Sequence, residues 1–186
     1  MTDAIVIGGG VIGLSIAREL SSSGMETIVL EKNERAGDVT SSRNSGVIHA
    51  GIYYPENFLK TKLCVEGNRL IYEYAKEKNI SHKKYGKFII ASNKKELTNL
   101  EKILTQGKKN NVEINMVEND KVLQNNPELI FYRALYSPNS GVIDVPEYVT
   151  ALEGDIQHFG SLISLRTSFL SAKRKGDKFI VVCSAE

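Results

Sequence analysis

The chain has 186 residues, 41% of them hydrophobic, 25% charged and 8% aromatic, an ordinary globular balance that excludes disordered, collagen-like and coiled-coil classes. At roughly 150 residues per domain, that length makes one large domain or two small ones. Lysine and arginine exceed aspartate and glutamate only by 24 − 22 = 2 and are interleaved with them, so no basic stripe forms and no nucleic-acid partner is expected.

Ala4 to Ile7 is a continuous apolar run, as expected of a parallel strand covered on both faces, and it leads straight into glycines. Ile12, Ile16 and Leu20 follow at helical spacing beside Gly13 and Ala17, a stripe narrow enough to lie close on a sheet. Gly24 suits the left-handed position past the helix end. Thr27 to Leu30 is a second β-branched run ending at Glu31, which completes a βαβ unit of about 30 residues. Asn33 to Gly51 reads as loop, with room for a short helix around Ser42 to His49. A long helix is expected from Asn57 to Lys78, with Leu59, Leu63, Leu70, Ile71 and Tyr74 on one face.

Phe88 to Ala91 reads as a strand, Lys94 to Lys109 as an amphipathic helix and Val112 to Val117 as an alternating strand. Asn119 is expected to cap a short helix that ends before Pro127, and Ala134 to Tyr136 is a brief strand closed by a turn at Ser137 to Gly141. Asp144 is the best helix cap in the chain, with Pro146 in the first turn and Gly160 at the far end. A strand at Ser161 to Leu165 and a hairpin around Gly176-Asp177 complete the order. That order predicts an α/β protein in which a nucleotide-binding domain, residues 1–80 and 161–186, is interrupted by an inserted α+β domain at 81–160.

Gly8-Gly9-Gly10-Val11-Ile12-Gly13 fits G-x-G-x-x-G after a strand and at the start of a helix, with the acidic Glu31 ending the next strand. Gly8 permits the tight turn, Gly10 lets backbone approach a pyrophosphate at the helix N-terminus, and Gly13 permits close helix–strand packing. Glu31 would accept hydrogen bonds from ribose hydroxyls and repel a 2′-phosphate, which disfavours NADP. The motif alone leaves NAD and FAD open.

The stretch Gly8 to Glu31, with Ala17, Leu20 and Gly24 at fixed offsets, resembles the N-terminal fingerprint of the D-amino-acid-oxidase-like FAD-dependent oxidoreductases. Ser41-Ser42-Arg43-Asn44-Ser45-Gly46-Val47-Ile48-His49-Ala50-Gly51-Ile52-Tyr53-Tyr54 resembles the second motif of L-2-hydroxyglutarate dehydrogenases and oxidases, as do Gly86-Lys87 and Ser140 to Asp144. Ser42-Arg43 departs from the Gly-His usual there and is closer to glycerol-3-phosphate dehydrogenases. The resemblance implies a Rossmann-like FAD-binding domain with an inserted substrate domain, truncated at the C-terminus, since such enzymes run to about twice this length. A missing C-terminal half, or self-association over uncovered apolar surface, is expected with it.

The implied reaction is oxidation of a small 2-hydroxy acid, most specifically L-2-hydroxyglutarate, with electrons passing from FAD to an unidentified acceptor. Glycerol 3-phosphate or amino-acid oxidation by the same chemistry is one alternative. A truncated flavin-binding remnant, or one half of a split enzyme, is another. His49 is the candidate base, an imidazole able to take the hydroxyl proton while hydride leaves carbon; a purely loop-orienting role stays open beside it. Cofactor contacts are expected from Gly8, Gly10, Val11, Ile12, Gly13, Glu31, Lys32, Ser41, Ser42, Arg43, Asn44, Ser45, Gly46 and Val47, and substrate contacts from Tyr53, Tyr54 and Lys87. Cys64 and Cys183 lack metal-site spacing, so no metal is expected, and Cys64 reads as core. Two isolated thiols and no secretion signal point to a cytoplasmic address, with peripheral attachment to the inner membrane left open.

Overall fold

The computed structural model describes residues 2–124 and 126–185. In chain order its elements are β1 (Ala4–Ile7), α1 (Val11–Ser22), β2 (Thr27–Leu30), β3 (Val47–Ile48), α2 (Leu59–Glu77), β4 (His82–Lys83), β5 (Lys87–Ala91) and α3 (Leu97–Lys109). There follow β6 (Asn115–Val117), α4 (Asn119–Leu123), β7 (Arg133–Ser137), β8 (Gly141–Ile143), α5 (Val145–His158), β9 (Leu162–Ser164), β10 (Thr167–Lys175) and β11 (Lys178–Ala185). They form two compact units, one from Met1–Asn44 with Asp144–Glu186, the other from Ser45–Ile143.

In the first unit β1, β2 and β9 make a parallel sheet in the order β1-β2-β9. The apolar run of β1 crosses through α1 to β2, and the helix closes where Gly24, at φ +88°, lets its N–H reach Ser21 O and the Met25 N–H reach Leu20 O. Asp144 caps α5 by accepting the Glu147 N–H at 2.9 Å, as its position before Pro146 predicts. α5 packs on α1, where Arg18 Nε donates to Asp155 Oδ2 at 2.7 Å and the Asp155 side chain is only 8% exposed. Removing one partner of so covered a pair leaves a carboxylate under the helix. Arg18→Leu is therefore expected to cost about 3 kcal/mol in urea unfolding, and Arg18→Leu with Asp155→Leu to recover most of it.

The second unit holds two antiparallel sheets, β3-β8-β4 and β5-β7-β6. Its core gathers Ala50, Ile52, Ala91, Leu100, Val112, Ile114 and Leu135, with α3 packed over β5 and β7. Val112 and Ile114 are thus core residues, although only Asn115–Val117 of the expected 112–117 strand pairs with a neighbour.

Several expectations are corrected. The units divide after Asn44 and after Ile143, well before residues 80 and 160. α2 belongs to the second unit, and α5 to the first because its buried face and Asp155 serve α1. The 42–49 segment is not helical: Gly46 takes φ +63° and Val47–Ile48 pairs with β8 instead. Leu59, Leu63 and Leu70 form a stripe on α2 that stays exposed, because within its own unit the helix buries only Thr61 and Ala75. Asn119 is the first residue of α4, whose cap position is Glu118 without a side-chain bond. Cys64 is half-buried on α2, not in the core.

Candidate functional site

The glycine turn of the first unit behaves as its spacing demands. Gly8 adopts φ +104° and donates its N–H to Leu30 O at 2.8 Å, tying the turn to the end of β2. A Cβ on Gly13 would lie 2.0 Å from Gly8 O, so only glycine lets α1 come down onto the turn. At Gly10 a Cβ would meet nothing closer than Ser41 Oγ, at 3.4 Å, so the backbone there is open to a close approach. Gly10, the residue before α1, has no side chain to cap it, and the first turn holds no acidic residue, so no carboxylate of that turn opposes the positive end of the helix. Ser41 Oγ accepts the Val11 N–H at 3.1 Å and so sits directly at that end.

Glu31 is buried, and its oxygens already have protein partners. Oε2 accepts the Gly9 N–H at 2.6 Å, while Oε1 accepts the Asn33 N–H at 2.9 Å and Asn33 Nδ2 at 2.8 Å. The carboxylate thus clamps the turn first; any ribose hydroxyl would use its remaining lone pairs. Asn33, the second half of this clamp, was not singled out by the sequence, where it reads as an ordinary loop residue.

The rest of the 32–47 segment is less concentrated. Lys32 is exposed and lines a polar pocket of about 390 Å³ with Arg35 and Arg166. Ser42 Oγ donates to Asp38 O and Val39 O, and Asn44 Nδ2 to Thr40 O and Ser41 O, so both side chains order the loop itself. Arg43, Ser45 and Val47 are exposed. Gly46 is buried, and its carbonyl accepts the Ile143 N–H at 2.9 Å. Ile12 is exposed on the first turn of α1.

Among the titratable groups of α5, Glu153 is set apart by its surroundings. Glu153 is half-buried in a pocket of about 400 Å³ with Val149 and Leu165, and burial pushes its carboxyl above the ordinary carboxylate range. A raised folded-state pKa makes the neutral form the favoured one, so its contribution is present at low pH and lost as pH rises through the raised value. Glu153→Gln is expected to raise Tm at neutral pH and to leave it unchanged near pH ~3, where the Glu153 carboxyl is protonated folded or unfolded, in thermal melts at the two conditions.

In the second unit β3 delivers the chain to His49, whose imidazole is exposed. His49, Tyr53, Tyr54, Lys87 and Ser140 line one small cleft of about 10 Å³, room for roughly a single water, so the base and substrate candidates spread over 39 residues of sequence converge. Lys87 Nζ stands 4.9 Å from the centre of the Tyr53 ring and Lys60 Nζ 4.3 Å from that of Tyr54, placing cationic donors over both aromatics. Ser140 is anticipated only as part of a turn and of the Ser140 to Asp144 stretch that carries the family resemblance, with no site role. Behind the cleft, Asn68 and Asn110 fasten the 49–54 segment through its carbonyls; both read in the sequence only as polar residues on or at the end of a helix. Among the described residues no cluster of His, Cys, Asp and Glu has the makings of a metal site, and no helix is long and apolar enough to cross a membrane.

The profile of the family described as FAD dependent oxidoreductase matches residues 3–186. The chain belongs to that family. FAD is accordingly the cofactor of this oxidoreductase family, and the open Gly10 backbone at the N-terminus of α1 fits its diphosphate. Among relatives of this FAD dependent oxidoreductase chain, the mitochondrial L-2-hydroxyglutarate dehydrogenase of Arabidopsis thaliana is 45% identical over 151 residues, 81% of this chain and 31% of that one. The Homo sapiens protein of the same name is 34% identical over 170 residues, 90% of this chain and 36% of that one. The chain thus spans about a third of the length of these relatives. Their names place them in mitochondria, which lends no support to the cytoplasmic address read from the thiols.

Among solved structures, the FAD-bound L-alpha-glycerophosphate oxidase of Mycoplasma pneumoniae superposes with a TM-score of 0.90 at 27% identity, over 99% of this chain and 50% of that one. Glycine oxidase from Geobacillus kaustophilus gives 0.86 at 20% identity, over 98% and 51%, and shows the fold alone. The α/β architecture read from the sequence is the architecture of this family.

Proposed function

We propose that this chain is the flavin-binding and base-bearing portion of an enzyme that oxidises L-2-hydroxyglutarate to 2-oxoglutarate. The observation that carries the reading is the 45% identity to a relative of that name; the residue types gathered at His49, Lys87, Tyr53 and Tyr54 suit its chemistry, and the cleft of about 10 Å³ that they line must open to admit the substrate. Backbone N–H groups of Gly10, Ile12 and Gly13, with the Ser41 hydroxyl that already accepts the Val11 N–H, would meet the FAD diphosphate, and Glu31 the adenosine ribose. Lys32, Ser42, Arg43, Asn44, Ser45, Gly46 and Val47 would complete the cofactor's surroundings.

Bound FAD supplies the two-electron acceptor. What the chain supplies is orientation and proton transfer. Lys87, with the Tyr53 and Tyr54 hydroxyls, would hold a substrate carboxylate by charge-assisted hydrogen bonds. His49 would take the C2 hydroxyl proton as hydride leaves C2, which turns the alcohol into a ketone with electrons balanced.

A second reading keeps the chemistry and exchanges the substrate for glycerol 3-phosphate. It is favoured by Ser42-Arg43 and by the likeness to the Mycoplasma glycerophosphate oxidase. Anaerobic titration of the flavin-loaded protein with each compound separates the two. Bleaching of the visible flavin bands by L-2-hydroxyglutarate is expected; bleaching by glycerol 3-phosphate alone would replace the first reading with the second.

A further inference from the structure

The segment from His49 to Tyr54 carries three side chains of the cleft, yet it belongs to no helix or sheet. Its backbone carbonyls therefore find no ladder partners and must be satisfied in another way. Asn110, buried at the C-terminal end of α3, does this: its Nδ2 donates to Gly51 O at 2.9 Å and to Tyr54 O at 2.8 Å, with a longer approach to Ile52 O at 3.5 Å. Its Oδ1 accepts from Gln106 Nε2 at 3.0 Å, which fixes the amide with its donors toward the segment.

Asn68 on α2 works on the other end. Its Nδ2 bridges His49 O at 3.0 Å and Asn139 O at 2.9 Å, joining the His49 backbone to the turn that presents Ser140. Both asparagines line an open pocket of about 780 Å³, and neither lines the cleft of His49 and Lys87. They hold the segment by its backbone and leave the cleft to its side chains. Glycine at position 51 belongs to the same arrangement, since it takes φ +88° and a Cβ would come within 2.7 Å of Val65.

We propose that Asn110 and Asn68 are positioning residues for the oxidation reaction, which set the spacing of His49, Tyr53 and Tyr54 against Lys87 by clamping the backbone that carries them. This rests on the reading of the cleft as the substrate site. The clamp needs a donor where it stands: an aspartate of the same size at position 110 would turn acceptor oxygens toward the three carbonyls and replace attraction by repulsion.

Asn110→Asp tests this at constant volume. In nuclear Overhauser spectra of the full chain, the Tyr53–Lys87 contact is expected to disappear while the Tyr72–His82 ring contact, in the same unit at 5.9 Å, persists. In flavin-loaded protein kcat should fall about 10- to 100-fold with flavin affinity unchanged, as expected of a misplaced reacting group. A folded variant that keeps the Tyr53–Lys87 contact overturns the proposal. Should the Tyr72–His82 contact vanish too, the half-buried Asn68→Asp decides by the same contact. Loss of the contact together with an unaffected reaction in His49→Asn would leave the clamp standing and remove the base assignment.

Discussion

Gly13→Ala is expected to abolish flavin binding and to unfold the first unit at a denaturant concentration well below that of the wild-type chain. The added methyl would lie 2.0 Å from Gly8 O, inside any tolerable contact, and the obstacle is backbone that cannot swing aside as a side chain can. Either α1 lifts from the turn or Gly8 abandons the N–H bond it makes to Leu30 O. Both alternatives open the strand–turn–helix junction, at a cost of roughly 3 kcal/mol, the upper part of the range for overpacking. Urea unfolding followed by circular dichroism reads the stability, and quenching of flavin fluorescence reads the binding. A Gly13→Ala chain that binds FAD with unchanged affinity would mean that the helix N-terminus is not the diphosphate site. Gly24→Ala is a useful control, because its glycine serves only the helix end, where a Cβ meets nothing within 4 Å and the strain of φ +88° is local.

His49→Asn is expected to slow anaerobic flavin reduction by roughly 100- to 10,000-fold, the usual worth of a positioned general base. The side chain is exposed on its own unit, and its backbone is held by Asn68; the substitution should therefore leave stability and FAD affinity nearly unchanged. Stopped-flow spectra give the rate directly. A loss confined to flavin affinity, with the reduction rate intact, would assign His49 to ordering its loop and would require a proton acceptor elsewhere.

Local rules made the first unit legible. The β1–α1–β2 order, the left-handed Gly24, the Asp144 cap and the Gly160 stop all depend on neighbours within a turn or two, and the structure has each where the residues predict it. Convergence of His49, Tyr53, Tyr54 and Lys87 was legible only as a set of chemical types; the bonding of β3 to β8 and of β5 to β7, which assembles it, is long-range. Two-residue strands such as His82–Lys83 carry no periodicity to detect. Asn110 was invisible because its value lies in three carbonyls more than 50 positions away. The unit boundaries were misplaced for a similar reason: α5 reads as one more amphipathic helix until Arg18 is seen against Asp155.

The division of the chain into a continuous middle and a unit built from both of its ends has a consequence for biosynthesis. Ser45–Ile143 can close as soon as it has left the ribosome, since every strand partner it uses lies within its own span. The early βαβ segment cannot finish until α5 and β9 arrive more than 100 residues later. At about 5–20 residues per second, the nascent glycine turn and its apolar strands wait roughly 7–27 s for cover. That interval, rather than the finished molecule, is when a chaperone would be needed most.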